Sequence, residues 1–233
     1  MKIALVTLAV VRQNRWIFLM LALWPVAMAL ILLLPHGAPD RDDVLSVLHQ
    51  ECFYAIALVS VTAAAQLGNE QRSRRSVFVL ARSVSRGKYL VTMFLSALLS
   101  GTVFTLSFLL SGLVLVGESG GNYAAVVAMA LLQFALCVWS AAFGVLFSVF
   151  LPSVLAAVAV SLTGGAIFLL GRHEAWFGVS RVISEMMTIP LNLQDPSARI
   201  SAVGVASIAT QAVCAILLAV FLLNRRDLEL TDH

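Results

Sequence analysis

Six apolar runs dominate this chain, at residues 16–34, 47–67, 89–116, 123–150, 154–171 and 203–223. A helix needs about 20 consecutive apolar residues to cross the hydrocarbon core of a bilayer, and each run is near or above that length. The breaks between runs are the expected ones. Pro35-His36-Gly37-Ala38-Pro39 closes the first, Gly117 to Asn122 separates the third from the fourth, and Pro152 separates the fourth from the fifth. With 61% hydrophobic and 12% charged residues, the chain lies far from the half-apolar, quarter-charged balance of a soluble domain. These features predict an all-α, polytopic membrane bundle of six transmembrane helices. It forms a single domain over 1–233, with no room for a separate soluble one.

The start of the chain also resembles a secretory leader. Arg12 and Arg15 precede the first run, and Ala27-Met28-Ala29 has the small-x-small form of a cleavage site. The run continues through Leu34, which suits a full span better than a cleaved signal core. Cys52, Cys137 and Cys214 all fall inside apolar runs. An odd, dispersed set argues against disulfides and metal ligation and for small apolar filler.

The net charge of +3 is too small to suggest nucleic acid, but its distribution is informative. With the N-terminus inside, the inner segments hold Lys2, Arg12, Arg15, Arg72, Arg74, Arg75, Arg82, Arg86, Lys88, Arg225 and Arg226. The outer segments hold Arg41, Arg172, Arg181 and Arg199. Positive residues near span ends are retained in the cytoplasm, so both termini are expected there. The outer connection, about 172–202, is too long for a turn. Trp176, Val179, Ile183, Met186 and Met187 recur in it at helical spacing, with Glu174, Arg181 and Glu185 off that stripe, until Pro190. This pattern fits an amphipathic helix at the outer surface, against lipid headgroups or a partner subunit. It fits equally a segment tucked onto the bundle.

Small residues repeat every four positions at Ala97, Gly101 and Thr105, and again at Ser140, Gly144 and Ser148. Such stripes let helix backbones approach closely. Gln66, Gln133 and Gln211 are polar at or within the spans, and interhelical hydrogen bonding is their expected use. No ionisable residue falls near the middle of a span with these boundaries, which weighs against a proton-driven pump. A phosphate loop is missing too, because the one Gly-Lys pair, Gly87-Lys88, has Arg82 where glycine is required and Tyr89 after it. His36, His49, His173 and His233 form no metal pair, and Asp40-Arg41-Asp42-Asp43 reads as a solvated acidic turn. The chain therefore presents no catalytic equipment of its own, and no cofactor or metal is expected in it.

One segment remains to be explained. Glu70 to Leu90, EQRSRRSVFVLARSVSRGKYL, carries six of the 15 Lys and Arg residues yet sits between two apolar runs. On a helix, Val77, Leu80, Ala81 and Val84 share one stripe, and Arg72, Arg75, Arg82 and Arg86 the opposite one, with Val79 among them. The segment at about 70–88 thus reads as a cytoplasmic amphipathic helix. Anionic inner-leaflet lipid would favour each nearby arginine by roughly 1 kcal/mol.

This segment resembles the coupling helix of type-2 ABC exporter permeases. That family shows a glutamate, a Gly-Thr pair and then Leu-Leu-Ala-x-Pro-Val-Ser-Arg at this spacing. Glu70, Leu80, Ala81, Val84, Ser85 and Arg86 match, while Arg74-Arg75 replaces the Gly-Thr pair and Ser83 the proline. The ending Phe221 to Leu228, FLLNRRDL, is similar to the family's apolar span followed by Arg-Asp-Leu. The resemblance implies a half-transporter in the bacterial inner membrane, exporting a lipid-like or amphipathic substrate. It would pair as a homodimer or with a related permease, the first and fifth spans lining the interface and Gly164-Gly165 permitting close approach. ATP and Mg would reside on a separate cytoplasmic ABC ATPase, docked at Glu70, Arg72, Arg75, Val77, Leu80, Ala81, Arg82, Val84 and Arg86. Two alternatives stand beside it. One is a subunit that transmits ATPase motion to an outer partner without conducting a substrate, and the other is an intramembrane enzyme or assembly factor.

Overall fold

The computed structural model describes residues 12, 14–34, 39–72, 86–170, 178–198 and 200–225. They form seven α-helices: α1 Arg15–Leu33, α2 Arg41–Arg72, α3 Arg86–Ser119, α4 Tyr123–Ser148, α5 Ser153–Leu170, α6 Gly178–Met187 and α7 Ala202–Arg225. Among the described residues there is no strand. Five helices, α1 to α4 and α7, are long and apolar enough to cross a membrane, so the chain is a multi-pass membrane protein. The apolar α5 is shorter, at 18 residues or about 27 Å.

Helix α4 forms the centre of the bundle. It packs against α2, α3, α5, α6 and α7, and Ala125, Met129, Leu132, Leu136, Val145 and the large Trp139 are all buried along it. The small-residue stripes make this possible. A Cβ on Gly101 would lie 2.9 Å from the Cβ of Cys137, and one on Gly144 2.7 Å from the Cβ of Ala63. Neither site has room for a side chain, so the backbones meet there. Leu48 and Val126 both flank Gly112, and Val59 and Cys137 both flank Gly101. Helices α2 and α4 therefore run parallel, with α3 antiparallel to both.

The bundle has two chemically distinct ends. At one end, Arg72 closes α2, Arg86 and Lys88 open α3, and Arg225 closes α7. At the other, Asp40, Asp42 and Asp43 lie at the start of α2, and Arg41 donates through Nε to the Ser119 carbonyl (3.1 Å) and through Nη2 to that of Gly120 (2.9 Å). Gly120 has φ of +69°, and its turn leads to Asn122, whose side chain caps α4 by accepting from the Ala124 N–H. Since α4 ends at the basic end and α7 starts at the acidic end, α5 carries the chain back between them.

The structure shifts the start of the second helix and decides between the two readings of the outer connection. The second helix starts at Arg41 rather than near 47, so the acidic residues, exposed as expected, are not a separate turn: Asp42 and Asp43 form the first helical turn and Asp40 precedes it. Negative charge at a helix N-terminus is favourable, and this extends the helix by two turns. Over its described residues, 178–198, the outer connection is a cap tucked onto the bundle. Helix α6 buries Val179, Val182, Ile183 and Met186 against α4, α5 and α7, leaving Met187 exposed. Trp176, assigned to the same stripe, lies outside the described residues. Glu185 fastens the cap, since one oxygen pairs with Arg181 at 2.9 Å and the other accepts from the Ser201 N–H at 3.1 Å.

Candidate functional site

The amphipathic segment between α2 and α3 carries most of the sequence-predicted functional residues, and 73–85 lies outside the described residues. Arg75, Val77, Leu80, Ala81, Arg82 and Val84 therefore have no structural account. Its two ends do. Glu70 and Arg72 belong to the final turns of α2, so Glu70 continues the second span rather than opening a new helix. Arg86 belongs to the first turn of α3. Both ends of the segment thus run directly into long helices that contact the central α4.

Arg86 adds a third attachment. Its Nη1 donates to the carbonyl of Leu223 at 2.7 Å and to that of Asn224 at 3.2 Å. These carbonyls belong to the last turn of α7, where no intrahelical donor remains and the helix dipole is negative. A guanidinium there satisfies both acceptors and ties the start of α3 to the end of α7. Next to it, Gly87 packs against Val220, 3.7 Å from where its Cβ would be. The sequence pattern gave Arg86 to the charged stripe of the segment, but its partner 137 residues away is a tertiary fact.

A second group lies in the interior. Glu51 is 1% exposed, and neither carboxyl oxygen has a hydrogen-bond partner among the described residues. Gln133 and Gln66 are likewise buried with unpartnered amides. Glu51 is ten residues into α2 and Gln133 ten into the parallel α4. Each is therefore about 15 Å from its helix start, and because Leu48 is level with Val126 and Val59 with Cys137, Gln133 lies about one turn deeper than Glu51. The expectation that no ionisable residue lies near the middle of a span fails here, because Glu51 sits close to the midpoint of the apolar stretch Arg41–Gln66. It rested on a start near 47, which put Glu51 in the first turn or so of the span, whereas the observed start leaves it ten residues in. Gln211 does make the interhelical bond expected of it, accepting from Trp139 Nε1 at 3.0 Å to join α4 and α7.

The flank formed by α2, α5 and α6 holds a mostly apolar pocket of about 210 Å³ lined by Phe53, Ile56 and Ala57, by Ser161, Gly164 and Gly165, and by Ile183. Gly164 faces Trp139 of its own chain, whereas a Cβ on Gly165 would meet nothing within 4 Å. Among the described residues no cluster of His, Cys, Asp or Glu could hold a metal, and the three cysteines form no disulfide. What the arrangement offers chemically is mechanical linkage at the basic end and one uncompensated acid in the core. No family model matches the chain, and no curated protein matches it.

Proposed function

We propose that this chain is the membrane-embedded permease subunit of an ABC exporter, driven by ATP hydrolysis on a separate cytoplasmic ATPase. The observation that carries the reading is the attachment of the basic segment to three helices: it continues α2, opens α3, and through Arg86 holds α7. A push on such a segment moves three helices of the bundle together, whereas a loop serving only as a topology signal needs no such attachment. In this reading α5 is a sixth span, both termini are cytoplasmic in the bacterial inner membrane, and the chain works as a homodimer or a pseudo-dimer. The transported molecule is lipid-like or amphipathic. Large side chains such as Phe104, Phe108, Leu136 and Trp139 fill the core, so the molecule would pass between copies or along the lipid-facing flank.

The test is co-purification of the chain with ATPases encoded beside it, followed by reconstitution. Leu80→Ser and Glu70→Ala are expected to leave membrane insertion intact and to weaken ATPase association or its stimulation. Normal association and stimulation in both variants would return the segment to a plain positive-inside loop.

The same filled core favours a second reading, in which the subunit relays ATPase motion to an outer partner without conducting anything. Helix α6, seated over the acidic end, would be the contact. Stimulated ATP hydrolysis without any transport by the reconstituted complex would select it.

A further inference from the structure

Among the described residues, Glu51 is the one acid whose environment is at odds with its chemistry. An ionised carboxylate withdrawn from water is tolerated only with hydrogen bonds or a counter-charge. Glu51 has neither, since both oxygens are buried and unpartnered. Nor do the helices packed against α2 supply a counter-charge. Among the described residues, α1 carries Arg15 at its start, and α3 carries Arg86, Lys88 and Tyr89 at the basic end and Glu118 at the other. Helix α4 carries Tyr123 at its start and Cys137 within, and α5 carries no titratable group. Helix α6, whose Ile183 lines the α2 flank, carries Arg181 and Glu185, which pair with each other at 2.9 Å. On α2 itself the near neighbours are His49, beside the Met186 backbone carbonyl of the cap, Cys52 and Tyr54. None of these groups reaches the Glu51 oxygens.

We propose that Glu51 is a proton-operated latch: the closed acidic half of the bundle is held with Glu51 as the neutral acid, and loss of that proton to water requires α2 to part from its neighbours there. The balance is one proton per opening, taken from the carboxyl and delivered to bulk water as the carboxylate becomes hydrated. Acid favours closure, and rising pH favours opening. A position ten residues from the start of α2 leaves a short route to water at the acidic end. The device depends on the fold and not on the assignment of the chain to a transporter.

Cys52 reports on it directly, being fully buried and adjacent to Glu51 in sequence. The full chain is reconstituted in liposomes with Cys137→Ala and Cys214→Ala, the former keeping the Cβ that meets Gly101. Alkylation of Cys52 by N-ethylmaleimide is then followed from pH 6 to 9, with Glu51→Gln and Glu51→Met as reference variants. Thiol reactivity itself rises with pH, so the informative quantity is the rate with Glu51 divided by the rate in each variant. Release of one proton shifts the opening equilibrium about tenfold per pH unit over the titrating range, and the ratio is expected to climb at that slope. A carboxylate beside Cys52 would slow thiolate formation, so a climbing ratio cannot arise from that charge. A ratio that stays flat across the range overturns the proposal. So does alkylation at pH 6 in both variants at rates well above that with Glu51, because a neutral side chain would then fail to hold the closure.

Discussion

Glycines in this bundle do opposite things according to what their missing side chains face. Gly144 lies where a Cβ would press on the Cβ of Ala63 at 2.7 Å and approach the Ser60 carbonyl at 3.3 Å, both on a neighbouring helix. Gly165 lies on an exposed part of α5 with open space around it. Gly144→Ala is therefore expected to destabilise the bundle by about 1–3 kcal/mol through overpacking. Gly165→Ala should be neutral or stabilising by up to about 1 kcal/mol, from helix propensity alone. Denaturant unfolding in detergent checks the pair, and equal effects from the two substitutions would contradict the packing seen at Gly144. The Trp139–Gln211 bond makes a second residue-scale case. A double-mutant cycle with Trp139→Phe and Gln211→Leu should give a coupling of roughly 0.6 kcal/mol, the usual size for interhelical bonds inside membranes.

At the scale of elements, α1 and α6 are held by different forces. Helix α1 exposes Trp16, Met20, Leu23 and Ile31 and lies at the periphery against α3. Pro25 interrupts its hydrogen-bond ladder, and the Ser107 hydroxyl of α3 donates to the Ala22 carbonyl one turn before that proline. A serine serving a carbonyl beside a proline break is a common way to satisfy backbone in a membrane. Helix α6 is short and amphipathic, and its apolar stripe is fixed by burial against the bundle. Ile183→Ser should weaken the docking of this cap by roughly 1.5–3 kcal/mol while leaving the long helices folded. Limited proteolysis of the detergent-solubilised chain would read this as faster cleavage within 178–198. If cleavage is instead accelerated throughout the chain, α6 is part of the cooperative core and not a separable cap.

For the whole molecule, charge and connectivity lead to the same polarity. The basic end carries the segment joining α2 to α3, and the acidic end carries the cap. A cysteine introduced by Ser73→Cys is expected to react with an impermeant maleimide only after the cells are opened, whereas Asp40→Cys should react in intact cells. Labelling of Ser73→Cys from outside intact cells would invert the proposed orientation. If the chain is the proposed exporter subunit, coupling across its basic end can be tested at Arg86, whose guanidinium binds the end of α7. Arg86→Gln should retain insertion and ATPase association yet lower stimulation or transport by severalfold, since the segment would no longer be tied to α7. Loss of association instead would mean that Arg86 faces the ATPase.

The helical class, the membrane location and the polarity of charge were legible in the sequence because they depend on run length and on where lysines and arginines fall. Helix existence followed from the same signal, and most ends agree within a few residues. The second helix is the instructive exception. A hydropathy criterion stops at polar residues, whereas Asp42 and Asp43 are favourable in a first helical turn and Arg41 is fastened to the Ser119 and Gly120 carbonyls. That extension puts Glu51 ten residues from the helix start, packing of the neighbouring helices buries it, and no periodicity in the chain announces it. Tertiary structure likewise decided which glycines are contacts, which face of α6 is covered, and that Arg86 reaches the end of α7. Each of these depends on what a different helix brings alongside. A residue's own neighbours in sequence fix its helix and its stripe, but the surface opposite that stripe exists only once the bundle has formed.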